Sequence, residues 1–351
     1  MAWTVDGLEY STRKKLTIDN TKIDAALADF PVLVKLTDAR FDWAKSNADG
    51  FDVRFTSSDG ETLLKYERER HDGADYAEYW VKIPTVASAS DTDFYIYYRT
   101  TDTADGADPT NVWDASFQGV WHMNQAVNAA QEDSTTNNRD LTVNGTTPTQ
   151  VDAKIGKGIH LPGVNEYLSR ASGDIGIANA WTIEMLFLMD ANFGVTNGLF
   201  YAKAADSKNR IQLYGSATYN FEQRIWYSGG QGGYDYYNSN PAFVKDNWYH
   251  LAVTWDGTNF LGYQNGGAIS FTTSGSAGTM ANANRAISFM SLLAEGYYQH
   301  GVIDESRISS TNRTAAWVKA SYNSEFDSLL TYGAEETPAV GVRRAAFMKF
   351  F

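Results

Sequence analysis

The stretch NWYHLAVTWDG, residues 247–257, sets the fold class. From Leu251 to Trp255 apolar residues alternate with Ala252 and Thr254, the two-residue period of a strand with one face on a core. It ends in Asp256-Gly257, a hairpin-type turn, and Asn265-Gly266 repeats that signal a few residues on. Strand-like segments surround it at 181–188, 199–202, 210–214, 223–227, 260–264, 287–293 and 301–308. The first third carries more, at 15–18, 31–36, 51–55, 76–83 and 94–98, separated by Asp49-Gly50, Asp59-Gly60 and Asp72-Gly73. Helix is offered only at 23–28 and 41–44, about one turn each, and at 312–321. The expected fold is all-β, with two β-sandwich domains. The breaker-rich stretch 102–111 divides them, giving an N-terminal sandwich over 1–112, a second sandwich over 113–333 and a tail over 334–351.

Composition narrows the partners. The 351 residues carry a net charge of -13, which argues against nucleic acid or an anionic membrane engaged by the whole surface. There are no cysteines, so disulfides, thiolate metal sites and cysteine nucleophiles are excluded. The longest apolar-leaning stretch, 286–294, is far short of the roughly 20 residues of a membrane span. The N-terminal residues show no basic segment followed by an apolar one, so no ordinary secretion signal is expected.

Five segments occur in a telling order: WDASFQGVWHM (113–123), KIGKGIHL with Pro162-Gly163 (154–163), AWTIEMLF (180–187), NWYHLAVTWDG and GVIDESRI (301–308). Together they resemble the laminin-G-like, concanavalin-type jelly roll over roughly residues 113–333. The first third, through FPVLVKL, the run from Asp49 to Glu69, YWVKIP and FYIYY, resembles a domain of unknown function that often precedes such jelly rolls in bacterial and archaeal surface proteins. That resemblance implies a fold and a neighbourhood, not a reaction.

Jelly rolls of this type include glucanases, whose retaining members carry E-x-D-x-E on one strand, three carboxylates on the cleft face. Here the corresponding stretch is Val302-Ile303-Asp304-Glu305-Ser306, with both outer glutamates missing and Asp304 and Glu305 expected on opposite faces. Glu67 and Glu69 would share a face of a strand, but the alternation Glu67-Arg68-Glu69-Arg70 reads as a solvated edge strand. The five histidines, His71, His122, His160, His250 and His300, form no H-x-x-x-H or H-x-H pair, so spacing supports no zinc site. His122 and His250 read as packed or edge histidines.

The resemblance implies a structural calcium as the one cofactor to weigh, with Asp133, Asn138 and Asp304 as its candidate ligands. The competing reading is a polar turn at 133–138 and an internal hydrogen-bond acceptor at Asp304. For glycan binding, the segment 219–240 offers Trp226, Tyr227, Tyr234, Tyr236 and Tyr237 among glycines, the composition of adaptable binding loops. The competing reading is a hairpin loop with aromatics packed beneath it. Tyr297 and Tyr298 form a smaller second candidate.

The tail sets Arg343, Arg344 and Lys349 beside Phe347, Phe350 and Phe351 without an acid, the character of a docking peptide for a partner subunit or of a frayed end. The expected function is a non-catalytic virion or surface-recognition protein of bacteriophage tail-fibre, head-fibre or decoration type. Its expected partners are a glycan and other particle proteins, and it is expected as a homo-oligomer or multicopy component. A bacterial or archaeal adhesin exported by a non-standard route, and a glycoside hydrolase or lyase on the same fold, are the alternatives.

Overall fold

The computed structural model describes residues 2–99, 104–171, 173, 175–178, 180–190, 197–204, 210–215, 221–226, 233–238, 243–274, 284–292 and 296–338. The fold is all-β. In the N-terminal sandwich a four-stranded sheet runs in the order Leu330–Glu336, Thr12–Ile18, Thr92–Tyr98, Arg54–Ser57. It faces a three-stranded sheet, Leu27–Thr37, Tyr76–Val86, Tyr66–His71. Phe30, Val32, Val34 and Leu36 alternate along one strand and stand opposite Ile83, Val81, Tyr79 and Ala77 of the next. With Leu16, Ile18, Phe55 and Ile96 they form the core of this sandwich.

The second sandwich is a jelly roll of two eight-stranded sheets. The distal sheet runs Thr142–Asn144, Tyr167–Arg170, Arg285–Phe289, Asn197–Ala204, Arg210–Gly215, Phe221–Trp226, Gly233–Asn238, Thr272–Ser274. The proximal sheet runs Thr149–Asp152, Lys157–Leu161, Gly301–Ser309, Trp181–Met189, Trp248–Trp255, Phe260–Gln264, Gly267–Ile269, with Phe117–Trp121 paired to Gly301–Ser309. Trp121, Trp181, Trp255, Phe187 and Val253 meet Phe200, Leu213 and Phe289 between the sheets. Asn265 and Gly266, both at positive φ (51° and 72°), turn the hairpin that their sequence announced.

The outer face of the proximal sheet is covered by the N-terminal sandwich. Leu33 and Trp80, on the second face of the three-stranded sheet, share an apolar cluster with Trp113, Phe117, Val120, Ile155 and Leu186. The helix Ala315–Glu325 completes it with Ala316, Trp317 and Ala320. Thr314 caps that helix, its Oγ1 accepting from the Trp317 amide at 3.2 Å, so the helix begins three residues later than expected.

Four sequence expectations change. The helical turns expected at 23–28 and 41–44 are the three-residue 3₁₀ turns Asn20–Lys22 and Trp43–Lys45, and Leu27 already opens a strand, because the cross-strand partners at 76–86 override weak helix propensity. The strand expected at 51–55 begins at Arg54, after a turn held by the Phe51 amide on Asp49 Oδ1 (3.0 Å). The division at 333/334 falls inside one strand, Leu330–Glu336, which pairs with Thr12–Ile18, so the chain returns to the N-terminal sandwich after finishing the jelly roll. The stretch read as linker is tied down: Asp105 takes a bidentate pair from Arg68 (2.7 and 2.6 Å), and Asp108 pairs with Lys65 at 2.7 Å.

Candidate functional site

The distal sheet carries a feature that no single strand reveals. Thr142, Ser169, Ser288, Tyr201, Gln212, Arg224, Asp235 and Ser274 stand opposite one another, pair by pair, across all eight strands. Opposed residues of an antiparallel pair share a face, so this wholly polar row lies on one face. One residue further along each strand, Leu168, Phe289, Phe200 and Leu213 are paired and belong to the core. The polar row is therefore on the face turned away from the core, where Ser288, Tyr201 and Gln212 are nevertheless buried. A second row beside it sets Tyr214 opposite Glu222 and Glu222 opposite Tyr237, and the Tyr214 hydroxyl donates to Glu222 Oε2 at 2.8 Å. Tyr201, Tyr214 and Leu292 form an apolar cluster of their own on this side.

The sequence-selected aromatics lie on the same sheet. Trp226 ends the strand Phe221–Trp226 opposite Gly233, and Tyr234, Tyr236 and Tyr237 lie on Gly233–Asn238. The described residues of 219–240 are thus two paired strands. In that pairing Tyr234 stands opposite Ile225, Tyr236 opposite Gln223 and Tyr237 opposite Glu222. Tyr227 lies outside the described residues, as do Arg343, Arg344, Phe347, Lys349, Phe350 and Phe351. Tyr297 is exposed, and Tyr298 stacks on Tyr167 with centroids 5.8 Å apart.

A second polar assembly is buried where the two sandwiches meet. His122 Nδ1 lies 2.6 Å from Glu305 Oε1 and 3.5 Å from Glu69 Oε2, and its Nε2 lies 3.2 Å from Glu67 Oε2. Trp113 and Trp80 donate their indole N–H groups to Glu67 and Glu69, each at 2.8 Å. Arg307 bonds Glu305 at 2.8 Å and Glu325 at 2.7 Å, over the Trp80 ring at 4.2 Å. His250 lies 3.6 Å from Glu184 and 3.7 Å from Glu325. Burial works against a charged His122, but Glu305, Glu67 and Glu69 outweigh it and push its pKa well above the usual histidine range. Burial, then the charge of Glu305, pushes Glu69 up. Burial alone would raise Glu305; the charges of His122 and Arg307 win and lower it.

This assembly corrects two expectations. Glu67 and Glu69 are not solvated: both turn into the junction, and Arg68 and Arg70, on either side of a register shift, pair with Asp105 and Glu78. Asp304 and Glu305 do not take opposite faces either. Leu186 opposes Asp304 and Met185 opposes Ser306, leaving Glu305 as the extra residue of a bulge, so both acids face the junction. His122 and His250 are packed, as read.

The calcium candidates each have hydrogen-bonding or backbone work within the fold. Asp133 accepts from the amides of Val120 (3.0 Å), Thr135 (2.9 Å) and Arg139 (2.9 Å) and from the Thr135 hydroxyl (3.0 Å), the work of a turn organiser. Asn138, at φ 52°, supplies the turn's left-handed position. Asp304 accepts from the amides of Ile155 (2.9 Å) and Glu305 (2.8 Å), and burial, then Glu305, raises its pKa well above the carboxylate range. Their geometry is that of the polar turn and the internal acceptor. Among the described residues, two groups of His, Asp and Glu bring three ligand atoms together: Glu69, His122 and Glu305 in the junction, and His160, Asp190 and His300 at the end of the proximal sheet. The second was invisible to a search by spacing, because its residues come from three strands' ends. No helix among the described residues is long and apolar enough to cross a membrane.

Residues 162–319 match the concanavalin A-like lectin/glucanases superfamily, and residues 49–130 match a domain of unknown function (DUF2341). The chain carries a laminin-G-like domain preceded by that domain. No curated protein matches it. Similar solved structures include domain 4 of AbnA, a GH43 extracellular arabinanase from Geobacillus stearothermophilus, in complex with arabinotriose (20% identity, 59% of this chain and 98% of that chain, TM-score 0.47). Others are the binding domain of Paraclostridial Mosquitocidal Protein 1 (17%, 60% and 53%, 0.47) and Trypanosoma rangeli sialidase in complex with the inhibitor DANA (12%, 74% and 42%, 0.45).

Proposed function

We propose that this is a non-catalytic recognition protein that binds a glycan on the outer face of the distal sheet. The observation that carries the reading is the run of polar register positions Arg224, Asp235 and Ser274 at one end of the distal sheet, on a jelly roll of the lectin/glucanase class. Sugar hydroxyls pair with amides, hydroxyls, guanidinium groups and carboxylates, and sugar ring faces stack on aromatics. Arg224 and Asp235 pair with each other in the row, and Tyr201 and Gln212 further along it are buried, so a sugar would meet the row at its Arg224–Asp235 end.

The non-catalytic reading is supported by where the acids of the junction are; Glu222 and Asp235 of the distal sheet are left to the turnover test below. A general acid and base must reach the scissile bond. Glu67, Glu69, Asp304 and Glu305 are all covered by the junction, and Glu67 and Glu69 are held there by two indoles and His122. The setting we infer is a bacteriophage particle that presents this face to a host surface, with the basic aromatic residues after 338 as the docking segment.

The reading is tested on a glycan array with the full chain and with Arg224→Ala/Asp235→Ala. The expected result is retention of a defined glycan class by the parent and loss by the variant, with an unchanged far-ultraviolet spectrum and no release of reducing sugar. Equal retention by both proteins overturns the assignment of the face. Turnover of the retained glycan overturns the non-catalytic reading.

A further inference from the structure

His160, Asp190 and His300 come from neighbouring strands of the proximal sheet. His160 lies in Lys157–Leu161, opposite Val302; Asp190 follows Trp181–Met189; His300 precedes Gly301–Ser309, the strand between the other two. The Asp190 amide donates to the His300 carbonyl at 3.3 Å, extending the ladder by one pair beyond Met189 and Gly301. The three residues are thus fixed by sheet register rather than by a free loop.

The side chains converge. Asp190 Oδ2 lies 2.5 Å from His160 Nε2 and 3.6 Å from His300 Nε2, and the two imidazole centroids are 5.7 Å apart. The backbone around His300 is held close. A Cβ on Gly163 would sit 2.9 Å from His300 Cβ, and Gly163 has the positive φ of 77° that only glycine adopts freely. Gln299 Nε2 donates to the His300 carbonyl at 2.7 Å. All three side chains are part-exposed, so an ion and a water molecule have access.

We propose that His160, Asp190 and His300 bind a divalent transition-metal ion of the zinc class, through two imidazole Nε2 atoms and one carboxylate oxygen, with the fourth position left to water. Bond lengths of about 2.0–2.2 Å in tetrahedral geometry separate ligand atoms by roughly 3.3–3.6 Å. The Asp190–His300 distance already matches. The shorter Asp190–His160 contact is a hydrogen bond that opens by about an ångström when the imidazole exchanges its proton for the ion. Imidazole donors favour zinc, nickel, cobalt or copper over calcium, which takes oxygen ligands. The site is separate from the glycan-binding face proposed above and does not depend on it.

The test uses the untagged full chain, stripped with a chelator and titrated with Zn²⁺ against a chromogenic competitor. One equivalent per chain is expected to bind, and Co²⁺ should give the intense visible absorption of a four-coordinate site. His160→Ala/His300→Ala, which removes two part-exposed side chains, should lose that equivalent and the cobalt spectrum while keeping the parent's far-ultraviolet spectrum. Asp190→Asn should weaken zinc at least tenfold. Stoichiometric zinc retained by the double variant, no zinc bound by the parent, or calcium bound in place of zinc would each overturn the proposal.

Discussion

Ser134 donates its hydroxyl to Oε1 of Glu67 at 2.6 Å, tying the loop after the first jelly-roll strand to the edge strand of the N-terminal sandwich. The other oxygen of Glu67 accepts from Trp113 and faces His122. A glutamate on a sheet edge thereby becomes the centre of the junction. With the apolar cluster shared across it and the returning strand Leu330–Glu336, the two sandwiches are one mechanical unit.

Such a junction should make unfolding cooperative. In urea, tryptophan fluorescence and far-ultraviolet circular dichroism should report one coincident transition. Two separated transitions would mean that the junction contributes little.

Removing the cation at its centre should be costly. His122→Leu leaves Glu67, Glu69 and Glu305 buried around an apolar group, and breaking one side of a buried ionic cluster costs about 3–5 kcal/mol. The loss should appear as a lower urea midpoint with an unchanged slope. A loss under about 1 kcal/mol would show that the cluster is not held by that charge.

Stability should also fall on the alkaline side. Burial pushes Glu325 up to about 7, with Arg307 and His250 pulling the other way. Folded chains then hold a proton between the ordinary value of 4.5 and about 7 that unfolded chains release, so raising the pH through that window destabilises the fold. The raised pKa of His122 acts in the same direction: its stabilisation is complete below about 6.5 and is lost as pH rises through the folded value. Glu305 and Glu184, both lowered, set the acid limit, since their stabilisation is lost as pH falls below about 4.5. The unfolding free energy should peak between about pH 5 and 6 and drop by a few kcal/mol at pH 8.5. Glu325→Gln should flatten part of that slope. A free energy that rises from pH 6 to pH 8.5 would contradict the assignment.

Truncation distinguishes the last strand of the fold from the basic aromatic tail. Removing 339–351 should leave the melting temperature unchanged and abolish incorporation into particles or oligomers. Removing 330–351 takes away the partner of Thr12–Ile18 and uncovers that edge, so the N-terminal sandwich should be lost. Unaltered assembly of the shorter truncation would leave the docking role without support.

Alternation within strands was legible because it is local. The sequence of 247–257 already specified Trp248–Trp255 and its turn, and the ordered segments pointed to the jelly roll. What escaped depends on two or more strands at once. The bulge at Glu305 exists only in the register against Met185 and Leu186. Burial of Glu67 and Glu69 depends on the jelly roll that covers them. In the strand Phe221–Trp226, Glu222 and Arg224 look like ordinary solvent positions; only the pairings to Gln212, Tyr214 and Asp235 make them parts of continuous rows. His160, Asp190 and His300 meet for the same reason, because Gly301–Ser309 lies between Lys157–Leu161 and Trp181–Met189. The aromatic segment was found from composition, but the pairing of Phe221–Trp226 with Gly233–Asn238 was not, since it depends on register.

Glycan binding on the distal sheet has a direct physical readout. Hydrogen–deuterium exchange of the full chain, with and without a glycan retained on the array, locates the contact directly. The account predicts added protection in 210–226 and 233–238 and none at the junction residues 66–71 and 301–309. Protection confined to the proximal sheet, or no change in 210–238 at saturating glycan, would contradict it.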